Sequence, residues 1–142
     1  MKFNILLVND HPAIIKGIKE IIGESFDVES IDTASTTEEA VGLALKNDYE
    51  IVLLDSSISG GTGMAALDQM KRARPAFPIL VISMYPEEIY GMHSMRMGAS
   101  GYIDKVNIPE KLVEAMDTVL QGGEYVSEKL HQRLTSSNQS QP

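Results

Sequence analysis

Cysteine is absent from the 142-residue sequence. Its absence excludes disulfide bonds, thiolate metal ligands and a cysteine nucleophile. Basic residues are few as well, because 12 lysines and arginines stand against 20 acidic residues, for a formal net charge of −8. Generic nucleic-acid binding needs clustered positive charge, so we expect no direct binding of DNA or RNA by this chain.

Long hydrophobic runs are also missing. No apolar stretch approaches the ~20 residues that a membrane-spanning helix requires. The N-terminal MKFNILLVND does not have the pattern of a signal peptide, because its short apolar run leads directly into an acid. The length suits one domain with a proper core. We therefore predict a cytoplasmic protein with no membrane partner.

Short apolar runs alternate with helical patterns along the chain. Three runs, at 5–8, 51–54 and 79–82, are continuously apolar, as is typical of parallel strands covered on both faces. A fourth run, at 27–34, alternates less regularly, which predicts a strand near an edge. The five predicted strands lie at 3–8, 27–34, 50–54, 78–83 and 100–104. With helices between them, they predict an α/β fold with a five-stranded parallel sheet and helices on both faces.

Start and stop signals mark the intervening helices. The second carries a capping-box pattern, in which Ser35 is followed three residues later by Glu38. The fourth is closed by Gly98, and the fifth by Gly122 and Gly123. The predicted helices begin at Pro12, near Ser35, near Thr62, at Pro86 and at Pro109.

The chain divides into two parts by composition. Residues 1–123 form the predicted domain, and residues 124–142 form a short extension that we interpret as a linker stub. In this extension Ser127 is expected to cap a short helix, EKLHQRL. The final TSSNQSQP has no apolar anchor and no charge, so we expect it to be disordered.

Polar residues follow four of the predicted strands at the point where each strand ends. They are Asn9 and Asp10, Asp55, Ser83, and Asp104 with Lys105. The carboxyl ends of parallel strands meet at one edge of a sheet, where functional groups collect. Two converging carboxylates, from Asp10 and Asp55, predict a site for Mg²⁺, which prefers oxygen ligands. Lys105 and Ser83 suit a phosphoryl group, which Asp55 could accept as a nucleophile.

These residues stand in motifs that resemble a known family. The chain resembles the receiver domain of two-component response regulators over residues 3 to 122, through ILLVNDHP, IVLLDSSISGGTG, ILVISMYPEE and MGASGYIDK. The phrases NDHP, SMYPEE and GASGYIDK, with QGGEYVSEKL after the last helix, are similar to the LuxR/NarL (FixJ) subgroup. The resemblance implies a flavodoxin-like sheet with strand order 2-1-3-4-5. It also implies a switch controlled by phosphorylation rather than an enzyme.

The resemblance assigns a role to each site residue. It implies that Asp55 is the phosphoacceptor. It implies that Mg²⁺ is bound by Asp10, Asp55 and the backbone carbonyl of Ser57, with Asn9 reaching the ion weakly through water.

Three further residues are assigned by the same resemblance. Ser83 is the switch hydroxyl that binds the phosphoryl group, and Lys105 is the lysine that pairs with it. Tyr102 is the aromatic switch that turns inward when Ser83 moves. The implied partners are a sensor histidine kinase and, after phosphorylation, a second copy of the chain that is bound by the face of helix 4, strand 5 and helix 5.

Three features depart from the family pattern. The family has two acids where this chain has Asn9 and Asp10, and a proline where Ser59 stands. The subgroup continues into a helix-turn-helix domain that regulates transcription, and this chain ends at Pro142. Asn9 predicts weaker Mg²⁺ binding than an acid at the same position.

Other functions stay open at this point. Asn9 and the loop after Asp55, SISGGTG at residues 57–63 (the acceptor loop), also fit a receiver-like interaction or dimerisation module that does not use phosphorylation. A haloacid-dehalogenase-type phosphatase would need a second Asp where Ser57 stands. A flavodoxin-like FMN carrier would not place Asp10 opposite a phosphate. His11 has no second His or Cys nearby, so we interpret it as a loop residue.

Overall fold

The computed structural model describes residues 2–58 and 64–139, with side chains to residue 136 in the last helix. Its centre is a five-stranded parallel sheet in the order β2-β1-β3-β4-β5, which confirms the predicted architecture and strand order. The strands are β1 (Phe3–Val8), β2 (Val28–Ala34), β3 (Ile51–Asp55), β4 (Ile79–Ser83) and β5 (Gly101–Asp104). The irregular run at 27–34 is an edge strand, as predicted.

The helices cover both faces of the sheet. One face carries α1 (Pro12–Ser25) and α5 (Ile108–Leu120), and the other carries α2 (Thr37–Lys46), α3 (Met64–Ala73) and α4 (Met92–Arg96). A π-helical turn at Glu87–Gly91 leads into α4, and a 3-10 turn at Lys105–Asn107 leads into α5. A sixth helix, α6 (Glu128–Gln139), follows the domain.

Alternate residues of each central strand supply the two halves of the core. In β1, Ile5 and Leu7 pack with α1 and α5, whereas Leu6 and Val8 pack with α2 and α3. Both faces are therefore dry, and every residue of β3 and β4 is buried. This double coverage is the reason that these strands are continuously apolar rather than alternating. The polar residues that follow each strand are left at the edge.

Two local predictions are corrected by the structure. The N-cap of α2 is Thr36, not Ser35: its Oγ1 accepts a hydrogen bond from the Glu39 backbone N–H at 3.1 Å. The hydroxyls of Ser35 and Thr36 both donate to the Glu39 carboxylate, so the capping motif is displaced by one residue from the prediction. The adjacent hydroxyls of Ser35 and Thr36 and the adjacent acids Glu38 and Glu39 made both registers possible in the sequence.

The C-terminal extension is more ordered than predicted. Ser127 caps α6 as expected, since its Oγ accepts from the Leu130 N–H at 3.0 Å. The helix then continues to Gln139, so the expectation of disorder from residue 135 is wrong for residues 135–139. Residues 140–142 lie outside the described residues, as does the predicted helix start at Thr62.

The reason for this order is that α6 packs on the domain. Leu130 is 1% exposed and lies against Gly91, where an added Cβ would stand 2.9 Å from its Cδ2. Ser127 donates to the Glu87 carboxylate, and Lys129 lies 3.6 Å from Glu88.

Within the described residues, no helix is long and apolar enough to cross a membrane.

Candidate functional site

The carboxyl edge of the sheet brings the predicted acids together. Asp55 is the last residue of β3 and is 1% exposed, whereas Asp10 lies in the loop after β1 and is exposed. Ligand atoms of Asp10, His11 and Asp55 all lie within 4.8 Å of one another. The strand order causes this convergence, because β1 and β3 are neighbours in the sheet. The structure therefore brings Asp10 and Asp55 together, as the sequence predicted.

Asp55 is held at both carboxylate oxygens. Its Oδ1 accepts hydrogen bonds from the backbone N–H and the hydroxyl of Ser57, each at 2.8 Å. Its Oδ2 lies 2.9 Å from Nζ of Lys105, whose side chain is 10% exposed. This contact has ion-pair distance without hydrogen-bond geometry, and Oδ2 has no hydrogen-bond partner among the described residues. The interaction between Lys105 and Asp55 is therefore electrostatic and not a directed hydrogen bond.

Lys105 also reaches the acceptor loop. Its Nζ donates to the Ser57 hydroxyl oxygen at 3.1 Å, while that hydroxyl donates to Asp55. Lys105, Ser57 and Asp55 thus form a closed triangle. The ammonium of Lys105 compensates the buried carboxylate of Asp55, and such pairing is the condition under which a buried charge is tolerated.

Asn9 is buried beside Asp55. Val8 of β1 pairs with Leu54 of β3. The residues that follow them, Asn9 and Asp55, therefore lie at neighbouring positions at the edge of the sheet. Asn9 is 1% exposed, and its Oδ1 accepts from the backbone N–H of His11 at 2.8 Å. Its Nδ2 has no hydrogen-bond partner among the described residues.

A chain of hydrogen bonds leads from the edge of β4 toward β5. Ser83 is completely buried, and its Oγ accepts from the Ser56 hydroxyl at 2.7 Å and from the Tyr85 N–H at 2.9 Å. The Tyr102 hydroxyl donates to the Tyr85 carbonyl at 2.6 Å. Burial raises the pKa of Tyr102 to about 12. Tyr102 is 1% exposed, so its ring is already turned inward in this structure.

Three residues of this site were not assigned a role from the sequence. Ser56 and Tyr85 bind Ser83, yet a serine or tyrosine in a loop carries no signal of its own. His11 was interpreted as a loop residue, and it does precede α1 as its N-cap residue. Its Nε2 is nevertheless 3.5 Å from Asp10 Oδ1. The spacing of His11 one residue after Asp10 was the only available hint.

The residues present fit a hard divalent cation. Asp10 and Asp55 supply carboxylate oxygens, and the buried Oδ2 of Asp55, which accepts no hydrogen bond from the described residues, has a lone pair that could coordinate a metal ion. Lys105 already neutralises one of the two charges. The predicted roles of Ser57 and Asn9 toward Mg²⁺ stay predictions. Ser59 and the rest of the acceptor loop to residue 63 lie outside the described residues.

Comparisons with known proteins identify the family of this chain. The family model of the response regulator receiver domain matches residues 5–117. The oxygen regulatory protein NreC of Staphylococcus epidermidis is 34% identical over 140 residues, which are 96% of this chain and 64% of that protein. The transcriptional regulatory protein DegU of Brevibacillus brevis is 30% identical over 133 residues, which are 94% of this chain and 56% of that protein. This chain therefore spans about three fifths of the length of these relatives.

A solved structure gives the same result for the fold. A two-component response regulator of the LuxR family from Aurantimonas sp. SI85-9A1 superposes with a TM-score of 0.85 and 26% identity, covering 97% of this chain and 99% of that one. The resemblance to the LuxR/NarL subgroup is thereby confirmed. With 113 consecutive positions, residues 5–117, matched by the family model, the chain belongs to the response regulator receiver domain family, the signalling module of two-component systems.

Proposed function

We propose that the chain accepts a phosphoryl group on Asp55 in a reaction assisted by Mg²⁺, and that this modification switches its interactions. The observation that carries the proposal is the state of the Asp55 carboxylate. The carboxylate is buried, and Ser57 fixes its Oδ1; its Oδ2 lies beside Lys105 and accepts no hydrogen bond within the part of the chain that the structure describes. An oriented carboxylate oxygen with a cation next to it is suited to nucleophilic attack on phosphorus.

The transfer balances without a proton shuttle. An oxygen of Asp55 forms a bond to phosphorus while the bond from phosphorus to the donor breaks. With a phosphohistidine donor, the electron pair leaves on the imidazole nitrogen. With acetyl phosphate, it leaves on the acetate oxygen. A bound Mg²⁺ would offset charge on the phosphoryl oxygens. Lys105 would contribute its ammonium, and the hydroxyls of Ser57 and Ser83 could bind the new group.

The hydrogen bonds around Ser83 offer a route from modification to response. If the Ser83 hydroxyl turned to a phosphoryl oxygen, its bonds with Ser56 and the Tyr85 N–H would be rearranged. Tyr102 bonds the Tyr85 carbonyl, so the loop and the ring would respond together. A few kcal/mol of differential interaction is enough to move such a two-state equilibrium.

The partners follow from this reaction and from the relatives. We propose a sensor histidine kinase as donor, a cytoplasmic location and no turnover of substrate. We further propose that residues 1–123 are the receiver unit and that α6 belongs to a connecting segment in a longer protein. DegU is named as a transcriptional regulatory protein, which favours control of transcription as the output. Phosphorylation would promote dimerisation through the face of α4, β5 and α5.

Mass spectrometry tests the acceptor. The chain is incubated with acetyl phosphate and Mg²⁺, and one added phosphoryl group is expected on a peptide that contains Asp55. The Asp55→Asn variant should take up none. Asp27→Asn serves as the matched control, because Asp27 is an exposed acid in the loop before β2. Equal labelling of the chain and of Asp55→Asn would refute the assignment.

A second function has one observation in its favour. Asn9 replaces an acid of the family pattern, which favours a receiver-like interaction module that works without phosphorylation. In that case Mg²⁺ would not bind detectably, yet the chain would still self-associate or bind its partner. Analytical ultracentrifugation with and without acetyl phosphate separates the two functions.

A further inference from the structure

Two buried polar atoms at the site lack hydrogen-bond partners among the described residues, and they are complementary. One is a donor, Nδ2 of Asn9, and the other is an acceptor, Oδ2 of Asp55. Asn9 directly follows β1 and Asp55 ends β3, and the two are neighbours because Val8 pairs with Leu54. We propose that the Asn9 amide donates a hydrogen bond to the phosphoryl group on Asp55, and so reduces the dependence of phosphorylation on a divalent cation. This inference rests on the proposed acceptor role of Asp55.

The orientation of the Asn9 amide is determined by its backbone contact. The His11 backbone N–H can only donate, and it lies 2.8 Å from the atom assigned as Oδ1. An amide nitrogen in that position would set donor against donor, so the assignment of oxygen and nitrogen follows from the network. The NH₂ group must therefore occupy the other position. An aspartate here would have an anionic oxygen in its place.

Burial makes the unpaired NH₂ group informative. Asn9 is 1% exposed, so bulk solvent does not reach the side-chain amide. Buried donors are nearly always paired, and leaving one unpaired is costly. A phosphoryl group on Asp55 would bring acceptor oxygens into the neighbouring position. The amide is thus suited to the modified form of the site rather than to the free form.

The charges at the site point in the same direction. Asp10, Asp55 and Lys105 sum to one negative charge, and an acid at position 9 would make the sum two. A phosphoryl group transferred without a metal ion therefore meets less repulsion beside Asn9 than it would beside an aspartate. The same lack of charge weakens the attraction for Mg²⁺. Asn9 is accordingly a positioning residue. Compared with an aspartate, it lowers the affinity for Mg²⁺ and offers the phosphoryl group an N–H donor.

The Asn9→Asp variant tests this inference, because it keeps the shape and the acceptor for the His11 N–H. The initial rate of Asp55 labelling by acetyl phosphate is measured in Mg²⁺ and in EDTA. We expect the rate in Mg²⁺ divided by the rate in EDTA to be about tenfold larger in Asn9→Asp than in the unchanged chain. The Mg²⁺ dissociation constant of Asn9→Asp should be about tenfold lower. Gln132→Glu is the matched control, since Gln132 is an exposed amide on α6 and the change adds the same charge.

A second measurement needs no substitution. In ¹⁵N-resolved NMR of the unchanged chain, beryllofluoride added without Mg²⁺ should shift the side-chain amide protons of Asn9 downfield. A purely structural Asn9, which only holds the turn at His11, would show no such shift and equal rate ratios in both chains. Either result overturns the inference while Asp55 labelling stands. If neither chain is labelled even in Mg²⁺, the proposed function itself fails and the inference with it.

Discussion

Replacing Lys105 by methionine removes the cation beside Asp55 and leaves a similar volume. In this structure the Lys105 ammonium lies 2.9 Å from Asp55 Oδ2, and the two side chains are 10% and 1% exposed. Removing one partner of a buried ion pair costs about 3–5 kcal/mol, because the other charge is left uncompensated. Ser57 still donates two hydrogen bonds to Oδ1, so we expect the lower end, about 3 kcal/mol.

The charge origin of this loss is tested by a second substitution. In the Asp55→Asn/Lys105→Met double variant no buried charge remains, and we expect it to regain about 2 kcal/mol relative to Lys105→Met. Mg²⁺ should also stabilise Lys105→Met, by about 2.7 kcal/mol at 100 times its dissociation constant. The ion would then compensate the carboxylates of Asp10 and Asp55.

Urea unfolding followed by circular dichroism measures these free energies, first in EDTA and then in Mg²⁺. Lys111→Met is the control, because Lys111 is half exposed and its contact with Glu114 spans 3.9 Å. That substitution should change the free energy of unfolding by less than about 0.5 kcal/mol. Lys105 does not compensate the Asp55 charge if Lys105→Met is as stable as the unchanged chain in EDTA, or if the double variant is no more stable than Lys105→Met.

Two further predictions concern the surface between Tyr102 and α6. Gly91→Ala would place a Cβ 2.9 Å from Leu130 Cδ2, so we expect a loss of about 1–2 kcal/mol and faster amide exchange in α6. In a Leu130→Ala background, which itself costs about 2 kcal/mol, Gly91→Ala should cost clearly less, because the tight contact that remains is with the flexible Glu87 side chain at 3.0 Å; an equal loss in both backgrounds would contradict the contact with Leu130. Burial raises the pKa of Tyr102 to about 12, so the unfolded chain loses this proton first, and stability should fall as pH rises from about 10 to 12. Urea unfolding across this range should show a shallower decline for Tyr102→Phe, and an unchanged slope would remove Tyr102 as its source.

The fold was predictable because its signals are local and repeated. Continuous apolar runs in β3 and β4, and prolines at the starts of α1 and α5, depend on near neighbours in the chain. The capping residue of α2 was missed by one position because adjacent hydroxyls and acids allow two registers. The order of α6 was underestimated because the segment from residue 135 has no apolar anchor, and because the burial of Leu130 depends on Gly91 in a distant turn.

The site, like the fold, could be predicted only in part from the sequence. Local sequence patterns were enough to predict which groups reach the carboxyl edge of the sheet, since each group stands at the end of its strand and parallel strands end at a common edge. They could not determine how those groups are paired. Three features depend on the tertiary structure: the Lys105 contact at Asp55 Oδ2, the inward ring of Tyr102, and the amide nitrogen of Asn9, which has no hydrogen-bond partner among the described residues. The reason is that hydrogen bonds and burial join atoms tens of residues apart, and their geometry exists only once the sheet has brought them together.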